Sequence, residues 1–263
     1  MAQTPSTKPQ RPNPKPQSVE WDGLSSEDLR ARCNVARLEL LNETDSTLDV
    51  AHTLAEQGAE AGTVVVADSQ RAGRGRHGRA WSSASGHGVW CTIVERPRDA
   101  SALEVLSLRV GLGIAEGLDA HAGVRVGLKW PNDLVLESGK LGGILVEARW
   151  SGTTLNWVAI GVGVNVLPPA DVAGGAALRP GAVRAEVLAV VVRAARAAAA
   201  RAGPLSPDEV ARYQLRDALR GRSITQPLDG VVLGITPSGE LSVKTARGSE
   251  RVRAGSIRLS EGT

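Results

Sequence analysis

Apolar residues along the chain recur sometimes with a period near two and sometimes with a helical period, and their order outlines the fold. Ser25-Ser26-Glu27-Asp28 supplies a cap and first-turn acids for a short helix reaching about Ala36. Residues 38–41 predict a strand. Glu43-Thr44-Asp45-Ser46-Thr47 then leads into an amphipathic helix that Gly58 ends. The β-branched run 63–67 predicts a buried strand, and 88–95 a second one. Residues 102–120 carry the helical period, with Gly111 and Gly113 implying close approach of a neighbour. Segments 124–130, 134–137, 140–149 and 155–163 read as consecutive strands. An Ala-rich helix follows over 183–202, and Ser206-Pro207 opens another that fades near Leu219.

Several strands separated by a few helices, without regular βαβ alternation, predict an α+β protein with a mixed or antiparallel sheet and flanking helices. Beyond Gly221 the texture changes. Short strands at 231–235, 241–245, 250–252 and 256–259 are split by Pro237-Ser238-Gly239 and Arg247-Gly248, which predicts a small β-barrel. The boundary falls at about residue 220, giving a unit over 19–220 and a second over 221–263. Residues 1–18 hold Pro5, Pro9, Pro12, Pro14 and Pro16 among polar residues. They bury too little apolar surface to offset ordering entropy and read as a disordered, solvated tail.

Composition narrows the classes. Of 263 residues 42% are hydrophobic, yet Phe is absent and Tyr213 stands with six Trp, so Val, Leu, Ile and Ala must pack the core. A net charge of +3 gives weak support to nucleic-acid binding. Cys33 and Cys91 form no scaffold of bridges, and the four histidines lack the spacing of a zinc site. With no signal peptide and no membrane-spanning run, the expected compartment is the cytoplasm and no membrane partner is expected.

The densest chemical signal is Gln70-Arg71-Ala72-Gly73-Arg74-Gly75-Arg76-His77-Gly78-Arg79-Ala80-Trp81, set between two strands. Its glycines allow positive φ and close approach to a ligand, and its arginines offer planar charged forks for phosphate or carboxylate oxygens. Crowded together, those arginines repel, so the loop is expected to be loose until an anion orders it. Trp81 could stack on a base. Lys129-Trp130-Pro131-Asn132-Asp133-Leu134 brings a lysine, an amide and an acid to a strand end, although Pro-Asn-Asp is also ordinary turn chemistry. Gly139-Lys140-Leu141-Gly142-Gly143-Ile144-Leu145-Val146-Glu147 opens a strand with a lysine beside glycines. Gly161-Val162-Gly163-Val164-Asn165 ends one, and opens no helix of the dinucleotide-binding kind.

Taken in order, Asp45-Ser46-Thr47 and these four segments resemble the biotin–protein ligases over about residues 38–170. The resemblance implies the fold shared by biotin ligases and class II aminoacyl-tRNA synthetases. It also implies an ATP-dependent enzyme joining biotin to AMP with release of pyrophosphate, then passing biotin to a lysine of a biotin carboxyl carrier domain. On it, Ser46, Thr47, Leu48, Gln70 and Gly143 line the biotin pocket. Leu48 stands where the family commonly has Asn, which removes one polar contact. Arg74, Gly75 and Arg76 wrap the biotin carboxylate and the α-phosphate, and Lys140 contacts the carboxylate and the acyl-phosphate bridge, so Lys140 and Arg74 carry the catalysis. Arg76, Arg79, Trp81, Lys129, Asn132 and Asn165 serve the nucleotide, with Trp81 on adenine. Mg²⁺ arrives with ATP, and Asp133 either helps to bind it or holds a loop. The short stretch between the tail and the first matched segment leaves no room for a helix-turn-helix, so no DNA partner is expected. Monomer and homodimer both stay open. The rivals are a lipoate or octanoate ligase or transferase and, from another class, a nucleic-acid-binding module using the arginine loop with Lys244, Arg247, Arg251, Arg253 and Arg258.

Overall fold

Strand pairing follows the apolar runs into one large sheet. The computed structural model describes residues 19–97, 99–137, 139–169 and 172–260, so the expected disordered tail, 1–18, lies outside the described residues. The main sheet comprises β1 (Leu38–Thr44), β2 (Thr63–Gln70), β3 (Gly88–Glu95), β4 (Gly127–Lys129), β5 (Asp133–Leu136), β6 (Gly139–Ser151) and β7 (Thr154–Asn165). Their order is β1-β2-β3-β7-β6-β5-β4. The β1–β2 pair is parallel, and the remaining neighbours are antiparallel. The sheet is therefore mixed, as the order of elements predicts. A parallel pair needs a crossover, which α2 (Thr47–Glu56) supplies.

The other helices end where local chemistry stops them. In α1 (Ser26–Cys33) Ser25 and Asp28 form a reciprocal cap, and Asn34 at φ 51° closes it before the expected Ala36. On α3 (Leu103–Ala122), Gly113 and Gly117 face α4 (Arg184–Ala199). A Cβ on Gly117 would lie 2.5 Å from Val190, and one on Gly113 3.1 Å from Ala194. Gly111 turns instead toward Ile144 and Leu128 at ordinary contact distance. Helix α5 (Pro207–Gln214) stops short of Leu219 because the next residues bond to β4: Leu128 N–H donates to Arg216 O at 2.7 Å, and Ala218 N–H to Leu128 O at 2.9 Å. The strand expected over 124–130 shrinks to β4, since Val126 N–H is taken by the Asp119 carboxylate at 2.8 Å.

After Gly221 come β8 (Ser223–Gln226), β9 (Gly230–Ile235), β10 (Leu241–Thr245), β11 (Gly248–Val252) and β12 (Arg258–Leu259), an antiparallel sheet in the order β11-β10-β9-β8-β12. The sequence pattern misses β8, whose Ile224 is its one buried residue and whose end abuts Pro227. Inward residues Ile224, Val232, Ile235, Leu241 and Val243 join the same apolar core as the main sheet. Trp130 Nε1 donates to Gly239 O at 2.9 Å across the two sheets. Among the described residues no helix is long and apolar enough to cross a membrane.

One ion pair is fully enclosed. Arg109 on α3 donates to Glu209 on α5 at 2.8 Å, both side chains are under 5% exposed, and a second arginine nitrogen reaches Pro204 O at 2.9 Å. Removing one partner strands the other charge in the core. Arg109→Ala is expected to cost about 3–5 kcal/mol in chemical denaturation; a loss below about 1 kcal/mol would show that water reaches the pair.

Candidate active site

The motifs singled out in the sequence converge on one cavity of about 200 Å³. The ends of β6 and β7 form its floor. The arginine loop covers it, and the start of α2, the 129–133 turn and residues 255–257 form its sides.

At the α2 end, the polar groups are held by one another. Ser46 caps the helix by accepting Leu48 N–H at 3.3 Å. Thr47 donates its N–H to Gln70 Oε1 at 2.9 Å, and its hydroxyl lies 3.2 Å from that oxygen and 2.8 Å from Thr92 Oγ1. Gln70 Nε2 donates to Ser83 Oγ at 2.8 Å. Ser83 and Thr92 were not legible as site residues, because each reads as an ordinary residue of its segment. Leu48, 3% exposed, fills the space left by the missing side chain of Gly161, where a Cβ would lie 3.2 Å from Leu48 Cγ. The residue that departs from the family pattern thus forms an apolar wall.

The arginine loop is a tight hairpin. Trp81 N–H donates to Gly73 O at 2.8 Å and Gly75 N–H to Arg79 O at 2.7 Å, around a 3₁₀ turn at Arg76–Gly78. His77 and Gly78 take the positive φ values, 58° and 70°. The expected mutual repulsion of the arginines is offset at Arg71 and Arg74 by acids distant in sequence. Arg71 pairs with Glu43 and Asp45, each at 2.8 Å. Arg74 pairs with Asp49 at 2.6 Å and Glu147 at 3.7 Å. Arg76 and Arg79 meet neutral partners: Arg76 donates to Asn132 Oδ1 at 3.3 Å, and Arg79 to Ser256 Oγ at 2.9 Å. Burial lowers the pKa of Arg76, with the Asp133 charge opposing that shift. A desolvated guanidinium without an acidic partner favours an incoming anion.

Lys140 opens β6 with its Nζ 2.7 Å from Asp133 Oδ1 and 5.0 Å from the centre of the Trp81 ring. Trp81 lies on a floor of glycines: a Cβ on Gly163 would stand 2.6 Å from the indole, and one on Gly143 3.2 Å. Trp90 closes the ring edge-on at 6.4 Å. Asn132 bolts its turn to β6, donating to Ile144 O at 2.9 Å and accepting Ile144 N–H on its own carbonyl at 3.0 Å.

Of the residues expected at the site, Ser46, Thr47, Leu48, Gln70, Arg74, Gly75, Arg76, Arg79, Trp81, Lys129, Asn132, Asp133, Lys140 and Gly143 line the cavity. Asn165 does not. It is buried and donates to Lys140 O at 3.3 Å and Ala176 O at 3.0 Å, fixing the start of β6 from behind. Gly255, Ser256 and Ile257 line the cavity without any signal in the sequence, since only tertiary packing brings them there. Asp133 is the one carboxylate lining the cavity among the described residues, and these hold no cluster of three metal-ligating side chains. The arrangement brings apolar and amide groups, the cations Lys140, Arg76, Arg79 and Lys129, and an aromatic ring lying on glycines into one cavity, which can hold an anion.

Residues 40–165 match the model of the Biotin/lipoate A/B protein ligase family. The Biotin–[acetyl-CoA-carboxylase] ligase of Paracoccus denitrificans is 40% identical over 146 residues, 54% of this chain and 59% of that protein. The Bifunctional ligase/repressor BirA of Bacillus spizizenii is 39% identical over 127 residues, 48% of this chain and 39% of that protein. The chain therefore spans less than two thirds of the length of these relatives. The biotin protein ligase from Aquifex aeolicus, solved in complex with biotin and ATP, superposes with a TM-score of 0.67 at 24% identity, covering 86% of this chain and 99% of that one. At that identity the likeness establishes the fold.

Gly163→Ala is expected to lift Trp81 from its floor, costing about 1–3 kcal/mol. It should also raise acrylamide quenching of the fluorescence assigned to Trp81 by subtraction of a Trp81→Phe background. Unchanged quenching would show that the ring does not depend on Gly163.

Proposed function

Starting from residues 40–165, which match the model of the Biotin/lipoate A/B protein ligase family, and from the likeness to a biotin–[acetyl-CoA-carboxylase] ligase, we propose that the chain is an ATP-dependent biotin–protein ligase. In the first step a biotin carboxylate oxygen attacks the α-phosphorus of ATP, the bond to the β-phosphate oxygen breaks, and pyrophosphate leaves. In the second, a lysine amine of a biotin carboxyl carrier domain attacks the activated carbonyl, and AMP departs as the amide forms. The amine belongs to the partner, so this chain needs no nucleophile of its own.

The observation that carries this is the meeting of Lys140, Arg76, Arg79 and Trp81 in one cavity that Leu48, Thr47 and Gln70 also line. A carboxylate is a weak nucleophile, and it must approach a phosphorus surrounded by negative oxygens. Fixed cations aimed at the charge developing there are each worth about 3 kcal/mol. Lys140 is held for that task by Asp133 on one side and the Trp81 face on the other. Mg²⁺ carried by ATP would screen the phosphate charge, and Asp133, the carboxylate lining the cavity, would be the residue to hold it. Trp81 offers its face to adenine, and Lys129 and Asn132 lie on the nucleotide side. Ser46, Thr47, Leu48 and Gln70 form the biotin end. In this assignment the unit over residues 19–220 carries the reaction, and the C-terminal sheet contributes Ser256 to one side of it. A reaction that consumes ATP and modifies a carrier domain is consistent with a cytoplasmic location.

Biotin-dependent exchange of pyrophosphate into ATP, followed by transfer to a purified carrier domain, tests this directly. Exchange is expected with biotin and absent with lipoate. Lys140→Ala should lower its rate by about two orders of magnitude, near 3 kcal/mol, with unfolding unchanged. Exchange with lipoate alone would reverse the assignment.

A further inference from the structure

We infer that His52 is a positioning residue, which orients Glu147 to hold Arg74 as the fixed anchor of the arginine loop. The inference deepens the proposed adenylation function and rests on it for the kinetic part of its test.

The hydrogen-bond directions follow from the groups themselves. His52, buried on α2, lies between Trp157 of β7 and Glu147 of β6. Trp157 Nε1 stands 3.0 Å from His52 Nδ1, and an indole N–H can only donate. Nδ1 therefore bears no proton, and the ring proton sits on Nε2, 2.8 Å from Glu147 Oε2. That hydrogen bond occupies one carboxylate oxygen and turns the other, Oε1, toward Arg74 Nη2 at 3.7 Å. Asp49, one helical turn before His52, accepts from Arg74 Nη1 at 2.6 Å. Arg149 adds a weaker contact to Glu147 Oε2 at 3.8 Å.

The relay has a consequence for the loop. With two acids on its guanidinium, Arg74 has its charge already answered inside the protein, whereas Arg76 and Arg79 do not. Arg74 thus fixes the base of the hairpin, and the two later arginines are the ones that meet the ligand anion. The acids sit on α2 and β6, which also carry Leu48 and Lys140, so the relay sets the loop against both ends of the cavity. Arg96 steadies the same helix from behind, donating to Ala55 O at 2.9 Å and to Asn156 O at 3.0 Å.

The test compares His52→Leu, His52→Gln and Glu147→Gln in the full chain. Tryptic cleavage within residues 71–79 is the readout that needs no activity. Both His52→Leu and Glu147→Gln are expected to speed that cleavage about tenfold and to raise the KM for biotin about tenfold, with kcat changed less than about threefold. His52→Gln should behave as the parent, since a glutamine amide can accept from Trp157 and donate to Glu147. Should His52→Leu fail to fold, Glu147→Gln carries the same measurement. Unchanged loop cleavage in Glu147→Gln, or a His52→Gln variant as impaired as His52→Leu, would overturn the inference. Absence of biotin-dependent exchange in the parent would instead overturn the proposed function, leaving the cleavage result to decide the anchor.

Discussion

Positive charge gathered in a half-buried cavity has to be held there against its own repulsion. The loop over residues 71–79 places four arginines within nine positions, and Lys129 and Lys140 approach the same space. Acids from other elements neutralise part of this charge: Glu43 and Asp45 take Arg71, Asp49 and Glu147 take Arg74, and Asp133 takes Lys140. Arg76 and Arg79 are left with neutral partners, so the site attracts an anion without being destabilised by every cation it contains. Those acids lie on β1, the turn before α2, α2 itself, β5 and β6, and the strand order brings them together.

Steric constraint shapes the same cavity as firmly as charge does. Trp81 can lie on β6 and β7 because Gly143 and Gly163 present no side chain beneath it. Gly161 yields the neighbouring space to Leu48. The floor is thus divided between an aromatic face and an apolar wall. Lys140 reaches over the aromatic part, where a cation gains from the ring quadrupole as well as from Asp133.

Much of the fold was legible in the sequence, and the failures have local causes. Strands β2, β3, β6 and β7 are long and β-branched, so the periodicity gives them directly. Strand β8 has one buried residue and so gives almost no pattern, and α5 stops where residues 216–218 bond to β4 instead of continuing a helix. For the site, glycines and arginines at close spacing mark the loop, because glycine adopts positive φ without steric cost and arginine carries a fixed planar charge. The looseness expected of that loop is a local argument, and the acids that pair Arg71 and Arg74 lie outside its reach because they are remote in sequence.

By itself the sequence determined which residues could do chemistry: the cations, the flat aromatic ring, and the glycines that let chain and ligand come close. These are properties of side chains and of φ preferences, and they hold wherever the chain folds. Tertiary structure decided the roles. It set Asn165 behind the cavity rather than in it, brought Ser256 from the C-terminal sheet to Arg79, and gave Arg74 two acids while leaving Arg76 with none. The reason is that a charge or hydrogen-bond donor is defined by what lies within about 3 Å of it, and in a mixed sheet those neighbours come from strands far apart along the chain.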